Sequence, residues 1–178
     1  MATRTKYVSG LMAISLLAFM GYGFVTDYLG YGFNRIDASD TEIPIDAAEH
    51  RVKRIVDGDT VHMKDGTKVR LHGIDTPERD QAYGKQATRN LDKLIGRTVF
   101  VVERDTDRYG RLVGTLYTPE GVNVNLEMVC NGSAWWYSRY AKNNRAMASC
   151  QDEAKVAGLG LWADVDPMPP WEWRAQQR

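Results

Sequence analysis

The chain has 178 residues, of which 43% are hydrophobic and 10% aromatic. This length and composition suit one domain of ordinary size with appendages, and they exclude a chain that is disordered throughout. The formal net charge is zero, but residues 1–50 hold only three basic and six acidic residues, which leaves the remainder mildly basic. A mild basic excess is compatible with a nucleic-acid substrate but does not predict one by itself.

The N-terminus carries an uncharged apolar run from Val8 to Val25, preceded by Arg4 and Lys6 and followed by Asp27. About 18 residues at a rise of about 1.5 Å each just cross a bilayer core, and the flanking charges favour an N-terminus inside the cell. We expect residues 1–25 to be an uncleaved membrane anchor that holds the rest of the chain outside the cytoplasm. Two alternatives are a cleaved signal peptide, whose apolar region is typically shorter, and a buried helix of a soluble protein.

Residues 26–50 are acidic, polar and rich in turn-forming residues, which predicts a linker. From residue 51 the pattern is that of short strands joined by tight turns, with Asp65-Gly66 as a hairpin signal. One helix then precedes two more strands. In chain order the predicted elements are strands Val52–Val56, Thr60–Met63 and Lys68–Ile74, a helix Tyr83–Ile95, and strands Thr98–Val102 and Leu112–Tyr117.

Helices dominate the last third of the chain. Asn123 is a suitable cap for one helix, and a second is predicted over Arg145–Ala157. The Pro/Trp-rich tail, residues 164–178, is predicted to be irregular and to dock its tryptophans back on the domain. Three strands, a helix, two strands and further helices predict a five-stranded antiparallel OB-type barrel with about three packed helices, over residues 51–163.

Cys130 and Cys150 are the two cysteines of the chain. An even count in an exported domain permits one disulfide, while two buried thiols in adjacent helices are the alternative. The absence of a CxxC motif and the scattered histidines argue against a zinc site.

The segment from Asp57 to Glu78 contains most of the candidate functional residues. Its two β-patterned runs place Asp59, Asp75 and Glu78 at one edge of a small sheet, with Arg70 inside the second run. Grouped carboxylates repel one another and usually need a cation, and a guanidinium beside them suits an anionic substrate. We therefore expect a metal-assisted site that cleaves phosphodiesters, although Asp and Gly also favour plain turns.

Four short motifs in this order resemble the staphylococcal nuclease-like (thermonuclease) family over about residues 51–163. They are Val56-Asp57-Gly58-Asp59-Thr60, Arg70-Leu71 with Ile74-Asp75-Thr76-Pro77-Glu78, Asp107-Arg108-Tyr109-Gly110-Arg111, and Gly160-Leu161-Trp162. The closing Pro-Pro-Trp-Glu-Trp-Arg also looks like the tail of many exported bacterial members. The resemblance implies an OB-type barrel that cleaves DNA and RNA with calcium and leaves 3′-phosphate ends.

Motif by motif, the resemblance also implies a role for each site residue. Asp59, Asp75 and the backbone carbonyl of Thr76 match calcium ligands. Glu78 matches the acid beside the metal-bound water, as a general base or as a residue that orders water. The resemblance further implies two catalytic arginines, Arg70 and Arg111, and nucleotide contacts from Arg108, Tyr109 and Tyr140.

One departure from the family pattern concerns the nucleotide pocket, because Ser138 stands where the family prototype has a second tyrosine. Trp136 or Tyr137 could substitute, although aromatic runs after a helix more often belong to the core. Taken together, the sequence predicts a monomeric calcium-dependent endonuclease on the outer face of a bacterial membrane, or secreted after signal cleavage. The alternative is a membrane-tethered, non-catalytic OB-type module that binds nucleic acid or protein.

Overall fold

The structure is a computed structural model, and it describes residues 42–178. The predicted anchor, most of the predicted linker and the membrane location that depends on them lie outside the described residues. Within residues 42–178, no helix is long and apolar enough to cross a membrane.

Five strands close into a barrel in the order β1-β2-β3-β6-β5, and two short strands, β4 and β7, form a separate pair. The strands are β1 (Ala48–Ile55), β2 (Thr60–Met63), β3 (Lys68–Leu71), β4 (Ile74–Asp75), β5 (Thr98–Thr106), β6 (Leu112–Tyr117) and β7 (Trp135–Trp136). Closure of the barrel by β1 against β5 leaves no free edge in this sheet. The five-stranded OB-type barrel expected from the sequence is therefore present.

One pairing in the barrel differs from the predicted antiparallel arrangement. β3 and β6 run parallel, with Arg70 opposite Val113, whereas the other four pairs of barrel strands are antiparallel. Parallel neighbours need a long crossover connection, and the segment between β3 and β6 supplies it through a helix and β5. The local strand pattern carries no information on this crossover.

β1 also begins earlier than predicted. Ala48 pairs with Val101 and His50 with Val99, so the last residues of the predicted linker form part of the barrel. This pairing starts β1 at Ala48, four residues before the predicted start at Val52.

In residues 42–178, four α-helices and one 3₁₀ helix surround the barrel. They are α1 (Gly84–Leu94), α2 (Val124–Cys130), α3 (Arg145–Val156), the 3₁₀ helix Gly160–Ala163, and α4 (Pro170–Gln176). The predicted cap of α2 is confirmed, since the Asn123 side chain accepts a hydrogen bond of 3.1 Å from the Leu126 amide. Asn144 caps α3 in the same way.

The tail is not irregular as predicted, because it forms α4. Pro169 and Pro170 suggested a break, but Pro170 is the first residue of this helix, where proline is favoured because its missing N–H would have had no partner. The prediction that tail tryptophans dock on the domain is borne out for Trp171, which stacks on Tyr137 and meets the edge of Trp135.

A single main core fills the barrel and the space beneath the helices. Its most buried members come from β2, β3, β4, β5, β6, α1 and α2, and include Val61, Leu71, Leu91, Leu116 and Met128. Trp136 is half-buried against this core, and its indole N–H donates to the Ala141 carbonyl. Trp136 is thus engaged in packing, as the core interpretation of the aromatic run expects.

Candidate active site

The acidic residues of the site lie on two neighbouring segments. Asp59 ends the turn before β2, and Asp75 lies on β4. Both are buried, with 6% and 1% of their surface exposed. A Cβ at Gly58 would lie only 2.8 Å from Thr76 Oγ1, so glycine lets the turn pack against Thr76. This close approach brings the two carboxylates together.

Thr76 fixes the orientation of Asp59. The Thr76 amide and hydroxyl each donate to Asp59 Oδ2 over 2.9 Å. The Thr60 hydroxyl donates to Asp59 Oδ1 over 3.2 Å. These three hydrogen bonds hold the Asp59 carboxylate in one rotamer.

Arg70 stands between the two buried carboxylates. Its Nη1 is 3.0 Å from Asp59 Oδ2, its Nη2 is 2.9 Å from Asp75 Oδ1, and it also donates to the Leu71 carbonyl. Asp59 and Asp75 therefore face one common cationic group. Two carboxylates aimed in this way have the geometry and charge to hold a hard cation with help from a nearby carbonyl such as that of Thr76.

A second arginine, Arg174 on α4, reaches the same site from the C-terminus. Its Nη2 is 2.7 Å from Asp75 Oδ2 and its Nη1 is 2.7 Å from Glu78 Oε1. The sequence-based prediction missed this residue. A usable signal was present, because Arg174 directly follows the two tail tryptophans that were expected to dock on the domain.

The result is an alternating chain of charges, Asp59–Arg70–Asp75–Arg174–Glu78. Burial and then the neighbouring Asp59 raise the pKa of Asp57 to about 6. Burial also raises the pKa of Asp75, although hydrogen bonds from Arg174 and the charge of Arg70 oppose the rise. Burial is the largest cause in both cases, because a buried carboxylate loses hydration and its charged form is then disfavoured.

Arg111 approaches from the loop between β5 and β6. Asp107 holds it through Arg111 Nε at 2.7 Å and through the Arg111 amide at 3.0 Å. Arg111 Nη1 lies 3.4 Å from Thr60 Oγ1, next to Asp59. The barrel thus brings this loop to the acidic residues, which is the juxtaposition expected from the sequence.

Arg108 and Tyr109 occupy the exposed tip of the same loop. Arg108 Nη2 donates to the Tyr109 hydroxyl over 2.7 Å, and its guanidinium lies 4.8 Å from the ring centroid. Tyr109 is 67% exposed, so its ring face is accessible to a ligand. The guanidinium of Arg111 also lies 5.7 Å from this centroid, so the stacking of Tyr109 on a base stays a prediction.

Tyr140 belongs to a separate group of aromatic side chains. It is 64% exposed, and its ring meets the edge of Tyr137 at 5.1 Å between centroids. Tyr137 in turn stacks on Trp171 of α4 with an interplanar angle of 5°.

The predicted cysteine pair forms a disulfide, Cys130–Cys150, which links α2 to α3.

Within residues 42–178, no three or more His, Cys, Asp or Glu side chains are grouped so as to hold a metal ion. The ligand set expected from the sequence is smaller: the carboxylates of Asp59 and Asp75, which here share Arg70, and the carbonyl of Thr76. Calcium accepts such sparse protein ligation when water and substrate oxygens complete its shell.

Residues 68–164 match the protein family described as "Staphylococcal nuclease homologue". This chain belongs to that family. The match spans β3 to the 3₁₀ helix and includes Arg70, Asp75, Glu78 and Arg111. The resemblance drawn from the four motifs is thereby confirmed.

Individual relatives of this nuclease-family chain support the same conclusion. An "Uncharacterized endonuclease" of Escherichia coli is 44% identical over 128 residues, which cover 70% of this chain and 83% of that protein. A "Micrococcal nuclease" of Shigella flexneri is 40% identical over 136 residues, covering 69% and 78%. A "Probable staphylococcal-like nuclease CAN1" of Oryza sativa subsp. japonica is 41% identical over 112 residues, covering 62% and 33%. The chain is a hydrolase of the endonuclease class.

Proposed function

We propose that this chain is a calcium-dependent endonuclease that hydrolyses phosphodiester bonds in both DNA and RNA and leaves 3′-phosphate ends. The observation that carries the proposal is the orientation of Asp59 and Asp75 toward one cationic group, with Arg70 beside them. A phosphodiester brings an anionic oxygen that can complete the coordination of a cation held there.

The cation has a defined place in the proposal. Asp59, Asp75 and the Thr76 carbonyl would hold calcium, which supplies charge to polarise the phosphate. This role needs anionic oxygen ligands, and the two carboxylates, with 6% and 1% exposure, are well shielded from bulk water.

The remaining groups act on the water and on the phosphate. Glu78 lies at the edge of the site, where its carboxylate can orient the attacking water and accept a proton from it. Arg70 and Arg111 can each donate forked hydrogen bonds to phosphate oxygens, whose charge grows as water adds to phosphorus. Departure of the 5′ oxygen then leaves the phosphate on the 3′ side.

Substrate contacts outside the reacting phosphate are proposed for Arg108, Tyr109 and Tyr140. Tyr109 and Tyr140 are the two tyrosines with the most exposed rings among the large hydrophobic side chains of the described part. An exposed ring stacks on any base, which suits an enzyme that does not select its sequence.

The decisive experiment uses the full chain with single-stranded DNA and RNA, in calcium and in chelator. We expect both polymers to be cut in calcium, with 3′-phosphate ends, and neither to be cut in chelator. Glu78→Gln and Arg111→Ala should each keep the fold, as judged by circular dichroism, and lower the rate about 10²-fold or more.

Each outcome has a defined meaning. Cleavage that continues in chelator would show that the reaction does not need calcium. Cleavage of only one polymer would restrict the proposed substrate to DNA or to RNA. Binding of nucleic acid without cleavage would favour the alternative, a non-catalytic OB-type module.

The cellular location and the oligomeric state are further parts of the proposal. We propose a monomer held outside the cytoplasm by residues 1–25, or released by their cleavage. Fractionation of cells that express the tagged full chain, together with light scattering of the purified protein, tests both points.

A further inference from the structure

Two adjoining depressions lie on the surface formed by β1 and α1. The first, about 380 Å³, is lined by Arg54, Arg79, Lys85 and Arg89 together with Ile55, Val56 and Thr88. The second, about 440 Å³, shares Arg54 and Ile55 with the first. It adds Lys53, Lys64 and Arg97, with Asp92 as the one acidic residue of its lining. We call the side chains of Lys53, Arg54, Arg79, Lys85, Arg89 and Arg97 the basic surface.

The charge of this surface is not balanced locally. In the described part of the chain, the side chains of Arg54, Arg79 and Lys85 form no ion pair, and Arg89 donates only to the neutral amide of Gln86. This clustering occurs on a chain with equal numbers of basic and acidic residues. Cations held close together without carboxylates repel one another, and an anion relieves that repulsion.

The pKa of one histidine reflects the positive potential of this part of the barrel. His62 lies on β2 opposite Arg54. Burial lowers the pKa of its imidazole, and the charges of Arg54, Lys68 and Lys53 lower it further. Three cations of two neighbouring strands therefore act on this one side chain.

The position of the basic surface indicates what kind of anion it binds. Arg79 directly follows Glu78, and Val56, which lines the first depression, directly precedes Asp57. The surface then continues along β1 to the second depression. A row of cations that starts at a phosphodiester-cleaving site and extends away from it matches a chain of phosphates better than a single small anion.

We propose that the basic surface binds backbone phosphates of the substrate strand that flank the phosphate being cleaved. The inference rests on the proposed function, because it identifies the ligand as a polynucleotide. It predicts that affinity grows with substrate length up to the reach of the surface. Contacts to phosphates carry no base preference, so DNA and RNA should gain alike.

The test compares Arg54→Gln/Lys85→Gln with a matched control, Lys93→Gln/Arg145→Gln. The control removes the same charge from exposed side chains that line neither depression. Binding of labelled single strands of about 4 and about 16 nucleotides is measured in chelator by fluorescence anisotropy across a salt series.

We expect the test variant to bind the longer strand about tenfold more weakly and the shorter strand as the wild type does. Its slope of log affinity against log salt should fall by about 1.4, which is two phosphate contacts on a single strand. The control should match the wild type. Equal affinity of test variant and wild type for the longer strand overturns the inference, as does a wild type that binds both lengths equally.

Failure of the proposed function gives a different result. A wild type that binds the longer strand through the basic surface but cuts nothing in calcium would overturn the nuclease proposal and leave this inference standing.

A second inference has an independent basis, the attachment of the C-terminal segment to the loop that carries Glu78. Gln81 connects the two: its Oε1 accepts from the Glu78 amide over 3.0 Å, and its Nε2 donates to the Met168 carbonyl over 2.6 Å. Arg174 then holds the Glu78 carboxylate itself. The same segment thus fixes both the main chain and the side chain of Glu78.

Arg174 also binds both carboxylate oxygens of Asp75. Its two terminal nitrogens lie 3.3 and 2.7 Å from the two Asp75 oxygens, while Arg70 holds one of them from the other side. Trp171, three residues earlier on α4, stacks on Tyr137 and so anchors the helix that carries Arg174. A guanidinium fork matches two carboxylate oxygens, which a lysine ammonium cannot do.

We infer that Arg174 is a positioning residue that holds Glu78 in place and moderates the negative charge at Asp75. The inference rests on the proposed function for its catalytic consequence. Loss of Arg174 should free Glu78, which lowers kcat, and should leave Asp75 more negative, which tightens calcium binding. A merely structural residue would not produce these two opposite effects.

The variants are Arg174→Gln, Arg174→Lys and the control Arg178→Gln, which removes the same charge from an exposed residue at the end of the chain. We expect Arg174→Gln to lower kcat about tenfold or more with little change in KM for a short substrate. Its calcium affinity, measured by calorimetry without substrate, should rise about threefold to tenfold. Arg174→Lys should restore the calcium affinity but not kcat, because it returns the charge without the fork.

Hydrogen exchange provides a readout that does not depend on activity or calcium. The amides of Gln81 and Gly84 donate within the loop after Glu78, and they should exchange faster in Arg174→Gln than in the control. Unchanged kcat and unchanged exchange would overturn the inference. Suppose that the wild type neither binds calcium nor cuts, while Arg174→Gln still exchanges faster than the control. This result would overturn only the proposed function.

Discussion

Asp107 holds Arg111 by both its main chain and its side chain. The Arg111 amide donates to Asp107 Oδ1 over 3.0 Å, and Arg111 Nε donates to Oδ2 over 2.7 Å. The Tyr109 amide also donates to Oδ1, so the carboxylate organises the whole loop. With Nε engaged and Nη1 in a long contact of 3.4 Å with Thr60 Oγ1, a phosphate can compete for the terminal nitrogens of Arg111.

Replacement of Asp107 by asparagine should therefore lower the rate of cleavage. Asparagine keeps one acceptor oxygen but loses the charge and offers an N–H where Arg111 Nε needs an acceptor. We expect kcat to fall about tenfold to 10²-fold, since Arg111 would lose its fixed orientation. Steady-state kinetics with a short DNA substrate measure this change.

Asp105→Asn is the control for Asp107→Asn. Asp105 is exposed on β5 and accepts only from the neighbouring Thr106 amide. Wild-type kcat in the Asp107 variant, or an equal loss in both variants, would contradict the role given to the Asp107–Arg111 pair.

Glu127 on α2 should make the stability of the protein depend on pH. Burial raises the pKa of this carboxyl above its ordinary value. A raised folded-state pKa stabilises the fold fully below the unfolded-state pKa, and that stabilisation is lost as pH rises through the folded-state value. Glu127→Gln should therefore melt at a higher temperature than the wild type at about pH 8, and at the same temperature near pH 4.

Melting curves of wild type, Glu127→Gln and Glu120→Gln at both pH values test this expectation. Glu120 lies exposed in a turn, so its replacement controls for the loss of one charge. A stabilisation of Glu127→Gln that is as large near pH 4 as at pH 8 would show that ionisation is not its cause.

Local sequence patterns were sufficient for most elements of the fold. The apolar residues of α1, among them the buried Ala87 and Leu91, recur at helical spacing. Asn123 caps the start of α2 by accepting from an amide only three residues later. The same holds for the acidic part of the site. Asp59 directly precedes β2 and Asp75 follows soon after β3, and β2 and β3 are neighbours both in the sequence and in the barrel.

Features that depend on distant pairing were missed. The ion pair of Arg174 with Glu78 joins residues 96 positions apart, and no periodic pattern encodes such a contact. The parallel pairing of β3 with β6 depends on how the barrel closes, and the start of β1 at Ala48 depends on β5. The basic surface was missed because its cations are spread over residues 53–97, and no more than two of them, Lys53 and Arg54, are consecutive.

The disulfide between Cys130 and Cys150 should stabilise the domain without serving the reaction. It closes a loop with a sequence separation of 20 residues, for which the chain-entropy estimate is about 3 kcal/mol. Reduction should lower the melting temperature by roughly 6–12 °C. Cleavage at room temperature should persist, because the acidic residues and arginines of the site lie on other segments.

Melting with and without reductant, on wild type and on Cys130→Ser/Cys150→Ser, measures this contribution. The double variant should melt like the reduced wild type and should not respond to reductant. Equal melting temperatures of oxidised and reduced wild type would show that the link adds nothing to stability.

Gly84 controls the position of Glu78 through a close backbone contact. A Cβ at Gly84 would overlap the Glu78 carbonyl oxygen, and backbone atoms cannot move aside as a flexible side chain can. Gly84→Ala should therefore push the loop of Glu78 away from α1. We expect a loss of stability of about 1–3 kcal/mol and a fall in kcat of about 10²-fold, because Glu78 would leave its position beside Asp75.

Gly96→Ala is the matched control, since a Cβ there meets nothing within 4 Å and the residue needs no positive φ. Chemical denaturation gives the stability of both variants, and single-turnover cleavage gives the rate. If Gly84→Ala lost stability but kept its rate, the loop would tolerate displacement and Glu78 would not need its present position. If both properties stayed as in Gly96→Ala, the contact between Gly84 and the Glu78 carbonyl would not constrain the site at all.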